Sequence, residues 1–144
     1  MDKVNLSQDK SNKSVLIVED DKFNAFIIEN FLKVTKIKVQ IAGTGELAVE
    51  LANSLKPDLI LMDIKLPGIN GLEATRSIKK TQPSIIIIAQ TAFATDSDKQ
   101  EALDAGCDDF ISKPIKVNVL LSIISKYIWY NIKLSHSFLF KDMN

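Results

Sequence analysis

The stretch LILMDIKLPGINGLE, residues 59–73, decides the fold. Its first four residues are apolar without the alternation of a half-solvated strand, a pattern that belongs to parallel sheets covered by helices on both faces. The run ends in one carboxylate, Asp63, and passes into a loop carrying Pro67, Gly68 and Gly71. Working outward, short apolar runs recur at 15–18, 37–42, 85–89 and 110–111, with segments of helical period between them. Strand and helix therefore alternate five times. Phe23, Ile27, Phe31 and Val34 form one helical stripe, Ala48, Leu51, Ala52 and Leu55 a second, and Val117, Leu120, Leu121, Ile124 and Ile128 a third. The expectation is a three-layer α/β fold with five parallel strands. The helix at 96–105 is the poor one: its only apolar side chains are Ala102, Leu103 and Ala105, so it buries little and should be loosely held. Thr95 or Asp96 can cap its start, and Gly106 stops it.

Composition narrows the function. With 144 residues, 46% of them hydrophobic, the chain supports one domain with one core. Lys plus Arg equals Asp plus Glu at 18 each, so no global field recommends nucleic acid or an anionic membrane as a direct partner. Residues 1–13 are polar and aperiodic and read as a leader or linker. No run approaches the roughly 18 apolar residues of a membrane span, and the expected location is cytoplasmic. One cysteine and one histidine leave no internal disulfide and no His/Cys zinc cluster. Cys107 reads as a small packing residue and His136 as solvated.

Chemistry in an open parallel sheet gathers beyond the carboxyl ends of the strands, where loops of neighbouring βα units converge. Strand one ends in Glu19, Asp20 and Asp21, strand three in Asp63, strand four in Gln90 and Thr91, and strand five in Ser112, Lys113 and Pro114. Singly, each has a plain structural use: Asp20 or Asp21 as a helix cap, Asp63 as a loop residue, Lys113 as a solvated cation. Together they form a constellation. Crowded carboxylates need positive charge among them, and oxygen donors without His or Cys suit a hard cation, Mg2+ first, with Mn2+ as a substitute. Mg2+, a lysine and a strand-end hydroxyl complement the oxygens of a phosphoryl group, and Asp63 is then its nucleophile.

The set VLIVEDD (15–21), LILMDIKLPGINGLE (59–73), AQTAFA (89–94) and AGCDDFISKPI (105–115) resembles the receiver domain of two-component response regulators, over residues 14–130. The resemblance implies a flavodoxin-like sheet of order 2-1-3-4-5, phosphorylated by a histidine kinase or a histidine phosphotransfer protein. By motif position it makes Asp63 the phosphoacceptor and a metal ligand. Asp20 is then a direct Mg2+ ligand, Glu19 a ligand through water, and the Lys65 backbone carbonyl the third protein ligand. Thr91 corresponds to the switch hydroxyl, Phe110 to the switch aromatic, where many members have tyrosine, and Lys113 to the phosphate-binding lysine, followed by Pro114 in a bond that is commonly cis in the family. Lys65 and Phe93 fall where receivers flank the path of hydrolytic water, which implies slow self-dephosphorylation.

The readout implied is the surface of helix four, strand five and helix five, with helix four moving most. Val119, Ile123, Tyr127 and Tyr130, beside Trp129, form an outward row on helix five, which serves either to pack under residues 131–144 or as a homodimer or partner face. Two contexts fit: a stand-alone receiver, favoured by the initiating methionine, or the receiver portion of a hybrid sensor kinase acting as a relay intermediate, favoured by the ED, AQTAFA and AGCDDFISKPI wording. A phosphatase or phosphotransferase of haloacid dehalogenase type is disfavoured, because its nucleophile ends strand one in D-x-D, where this chain has EDD.

Overall fold

The computed structural model describes residues 12–92 and 95–128. Five strands, β1 (Ser14–Val18), β2 (Lys38–Ala42), β3 (Leu59–Asp63), β4 (Ile86–Thr91) and β5 (Asp109–Ser112), alternate with five helices, α1 (Lys22–Lys33), α2 (Gly45–Leu55), α3 (Gly71–Thr81), α4 (Asp96–Ala105) and α5 (Val117–Ile128). All strand pairs are parallel, and the sheet order is β2-β1-β3-β4-β5. Central β3 is buried at all five positions.

The pleat explains why β1 and β3 are apolar at consecutive residues. Leu16, Val18, Ile60 and Met62 pack against one cluster that includes Ala48 and Ala52 of α2, Ala74 and Ile78 of α3 and Ala102 of α4. Val15, Ile17, Leu59 and Leu61 point the other way, into Ile28 and Leu32 of α1 and Leu120, Ile124 and Ile128 of α5. Both faces are thus covered. Edge strand β2 is more open, with Ile41 exposed.

Three helical stripes need correction or trimming. Helix α1 buries Ala25, Ile28 and Leu32, whereas Phe23 and Val34 are 70% and 77% exposed. Its core-facing row is led by a small alanine, and the bulkier residues lie a third of a turn away. In α2, Ala48 and Ala52 are buried but Leu55 is exposed; in α5, Leu120, Ile124 and Ile128 are buried but Val117 is exposed. The outward row of α5 is partly tied down. Val119 is exposed, Ile123 and Tyr127 pack on the core, and the Tyr127 hydroxyl donates to Asp109 Oδ2 at 2.9 Å.

Capping side chains start four helices: Asp21 accepts from the Phe23 and Asn24 amides, Thr44 from Leu47, Asn70 from Glu73 and Thr95 from Asp98. Gly106, at φ +113°, closes α4 in the left-handed region. As expected, α4 buries only Ala102 and Ala105. Cys107 is buried, its Sγ 3.8 Å from Thr75 Oγ1, and burial pushes its thiol up from the ordinary value, in keeping with a packing role. No helix among the described residues is long and apolar enough to cross a membrane. Phe93, Trp129, Tyr130, His136 and residues 131–144 lie outside the described residues, as does the leader apart from 12 and 13.

Candidate functional site

Register carries the strand tips to one edge. Asp63 pairs with Gln90 and Thr91 with Ser112, and the chain beyond is stitched by Glu19 N donating to Ala42 O at 3.0 Å and Lys113 N to Thr91 O at 2.8 Å. Asp63, the last residue of β3, is 4% exposed. Its Oδ1 accepts from the Lys65 amide at 3.0 Å and its Oδ2 from Lys113 Nζ at 2.8 Å. Lys113 Nζ also reaches Glu19 Oε1 at 3.0 Å, and Glu19 Oε2 accepts from the Asp21 amide at 3.2 Å. One ammonium thus bridges two buried carboxylates.

Burial, helped by the negative charge of Asp63, raises the Glu19 carboxyl from its ordinary value, with the bonds from Lys113 and the Asp21 amide opposing. Burial pulls the Lys113 ammonium down, but hydrogen bonds and charge from Asp63 and Glu19 outweigh it, so the group is held above the ordinary lysine value and stays cationic. The Lys113–Pro114 bond is cis.

The ambiguity between Asp20 and Asp21 is resolved by capping. Asp21 turns its carboxylate to the amides that open α1, while Asp20 joins Glu19 and Asp63 in a trio whose ligand oxygens lie within 4.8 Å of one another. Three carboxylates without nitrogen or sulfur donors fit a small hard divalent cation, and Mg2+ bound there would offset their charge and bind an anionic oxygen. A glycine sets the loop that follows. A Cβ at Gly71 would collide with the Asp63 carbonyl and with Ile64 Cα, so only glycine lets α3 start this close to the strand tip.

Two buried polar atoms in the site have no partner among the described residues: Thr91 Oγ1 and Gln90 Oε1. Each carries a desolvation cost that an incoming hydrogen-bonding group would relieve. Thr91 borders a cleft of about 770 Å3 whose lining includes Asp20, Asp63, Lys65 and Lys113, together with Asn70, Asp98 and Glu101. Sequence reasoning did not single out those last three. Asp98 and Glu101 carry the pattern of any solvated helix face, and Asn70 that of any cap. Gln90 had a signal, as the polar residue that interrupts the apolar run of β4, and it is 1% exposed beside Glu19 and Lys113 in a second cleft. Phe110 stands apart from the carboxylates, half-buried against the α2–α4 face, with Lys99 Nζ 4.8 Å from its ring centroid.

Comparison with known proteins agrees with this geometry. The family model described as the response regulator receiver domain matches residues 15–125. The polar-differentiation response regulator DivK of Brucella ovis is 38% identical over 118 residues, 81% of this chain and 96% of the relative. Among solved structures, the receiver domain of a Saccharomyces cerevisiae response regulator, co-crystallised with a histidine phosphotransfer protein, is 32% identical at a TM-score of 0.77, covering 83% of this chain and 90% of that one. The receiver domain of a Pseudomonas aeruginosa PAO1 sensor histidine kinase, with magnesium coordinated in its active-site cleft, is 36% identical at a TM-score of 0.75, covering 81% and 97%. With the five-stranded parallel sheet, the strand-end acidic trio and this family match together, the chain belongs to the response regulator receiver domains of two-component signalling.

Proposed function

We propose that Asp63 is the phosphoacceptor of this receiver. The observation that carries the reading is the Lys113 ammonium held between Asp63 and Glu19 at 2.8 and 3.0 Å, beside a Thr91 hydroxyl that has no partner among the described residues. A carboxylate oxygen of Asp63 attacks phosphorus, the N–P bond of a phosphohistidine breaks, and its electron pair returns to the imidazole. Lys113 and Thr91 take two of the phosphoryl oxygens. Asp20, Asp63, the Lys65 carbonyl and, through water, Glu19 are the residues that would hold Mg2+ or Mn2+. The donor is a histidine kinase or a histidine phosphotransfer protein, and relatives of both the stand-alone and the sensor-kinase kind support either context. The domain spans 14–130, with 1–13 as linker and 131–144 as a tail. Incubation with Mg2+ and acetyl phosphate tests the assignment: the parent becomes labelled, and labelling of Asp63→Asn at the parent's rate would contradict it.

Phosphorylation replaces the single negative charge of the Asp63 carboxylate by about two on the acyl phosphate, with three phosphoryl oxygens as new acceptors. Thr91 turns its hydroxyl to them, Phe110 fills the space vacated, and the α4/β5/α5 surface is read by a partner. Apart from this self-phosphorylation and its slow reversal, no turnover is proposed. Lys65 and Phe93 hinder hydrolytic water, so replacing both by small polar residues accelerates loss of the phosphoryl group; an unchanged lifetime would refute that role.

A further inference from the structure

We infer that Lys99 is a positioning residue of the switch, its ammonium on the face of Phe110 seating against β5 the first half of α4, which buries no side chain of its own. The inference rests on the roles proposed above for Asp63, Thr91 and Phe110. Both side chains that α4 buries, Ala102 and Ala105, lie in its second half. The chain just beyond is clamped: Cys107 N donates to Ala102 O at 2.9 Å, Asp108 N to Ile87 O at 2.7 Å, and Asp108 Oδ2 accepts from both Ile87 N and Lys79 Nζ at 2.9 Å. Residues 96–101, by contrast, have no buried side chain. Helix α4 is therefore fixed at its C-terminal end, and Lys99, 4.8 Å from the Phe110 ring centroid, gives its first half a seat on the sheet.

The seat is next to the switch. Phe110 pairs in register with Ala89, two residues before Thr91, so all three side chains occupy the sheet face that α4 covers. A Thr91 hydroxyl drawn toward a phosphoryl group frees space beside small Ala89, and a ring that turns into that space leaves the Lys99 ammonium. Asp98 and Glu101, which line the cleft from the same half-helix, then face a site that has gained negative charge. The Lys99–Phe110 contact consequently favours the unphosphorylated arrangement and opposes phosphorylation.

Lys99→Met keeps the aliphatic stem and removes the charge. A cation–ring contact of this kind corresponds to about a two- to fivefold shift in population. The variant should gain that factor in the rate of labelling by acetyl phosphate, and in amide exchange over residues 96–101 of the unphosphorylated protein, with exchange over 102–108 unchanged. Lys99→Arg should restore both. Parent-like labelling and exchange in Lys99→Met would overturn the inference, as would exchange rising equally across 96–108, the mark of general loosening. The exchange effect must persist in an Asp63→Asn background, because it needs no phosphoryl group. Failure of the parent to label would strike the Asp63 assignment alone.

Discussion

Thr91 carries the sharpest signature among the individual residues. A buried hydroxyl without a partner among the described residues costs the resting state and is worth something only once an acceptor arrives. Thr91→Val should therefore leave the unphosphorylated protein as stable as the parent, or more stable by about 1 kcal/mol in urea, while removing its spectroscopic response to beryllofluoride. Clear destabilisation with a preserved response would place the hydroxyl in a resting-state bond. The residues at this site were legible because they end strands, where an acid, a hydroxyl or a lysine contrasts with the apolar run before it. Asp20 and Asp21 could not be told apart in sequence, since both are good caps. Only the direction of the Asp21 carboxylate toward the Phe23 and Asn24 amides separates the cap from Asp20, the member of the acidic trio. Asp98 and Glu101 gave no signal, because position along an exposed helix does not say what the helix stands beside.

At the scale of the element, legibility followed side-chain size. Strands β3 and β4 declare themselves through runs of Leu and Ile, but α1 turns a row led by Ala25 to the core, with Phe31 packed at its margin and Phe23 and Val34 in solvent, so a reading weighted by bulk sets the face off-centre. Helix α3 is quieter still, burying Gly71, Ala74, Thr75 and Ile78, a row with a single large apolar member. Its first residue fixes the site. Gly71→Ala would force a Cβ into the Asp63 carbonyl, and the overpacking should cost about 1–3 kcal/mol in urea unfolding and slow phosphorylation as well. A parent-like midpoint with parent-like labelling would show that the α3 start does not hold Asp63 in place. The sparse core of α4 was legible for the opposite reason: a helix with three apolar side chains has nothing else to bury.

The whole molecule joins a rigid centre to a lightly held flank. Asp63 projects from the middle strand of a sheet covered on both faces, whereas α4 and α5 expose Leu103 and Val119 on the proposed output side. If that side pairs two copies, sedimentation velocity should show a monomer that shifts toward dimer with Mg2+ and beryllofluoride, and Val119→Glu should abolish the shift. A parent that stays monomeric under both conditions would assign the surface to a different partner. The central claim, that one carboxylate at the tip of β3 receives the phosphoryl group, is tested most directly by trapping it. Borohydride reduction of protein phosphorylated by acetyl phosphate, followed by peptide mapping, should convert residue 63 alone to homoserine. Conversion at Asp20 or Asp21 with Asp63 intact would contradict the account.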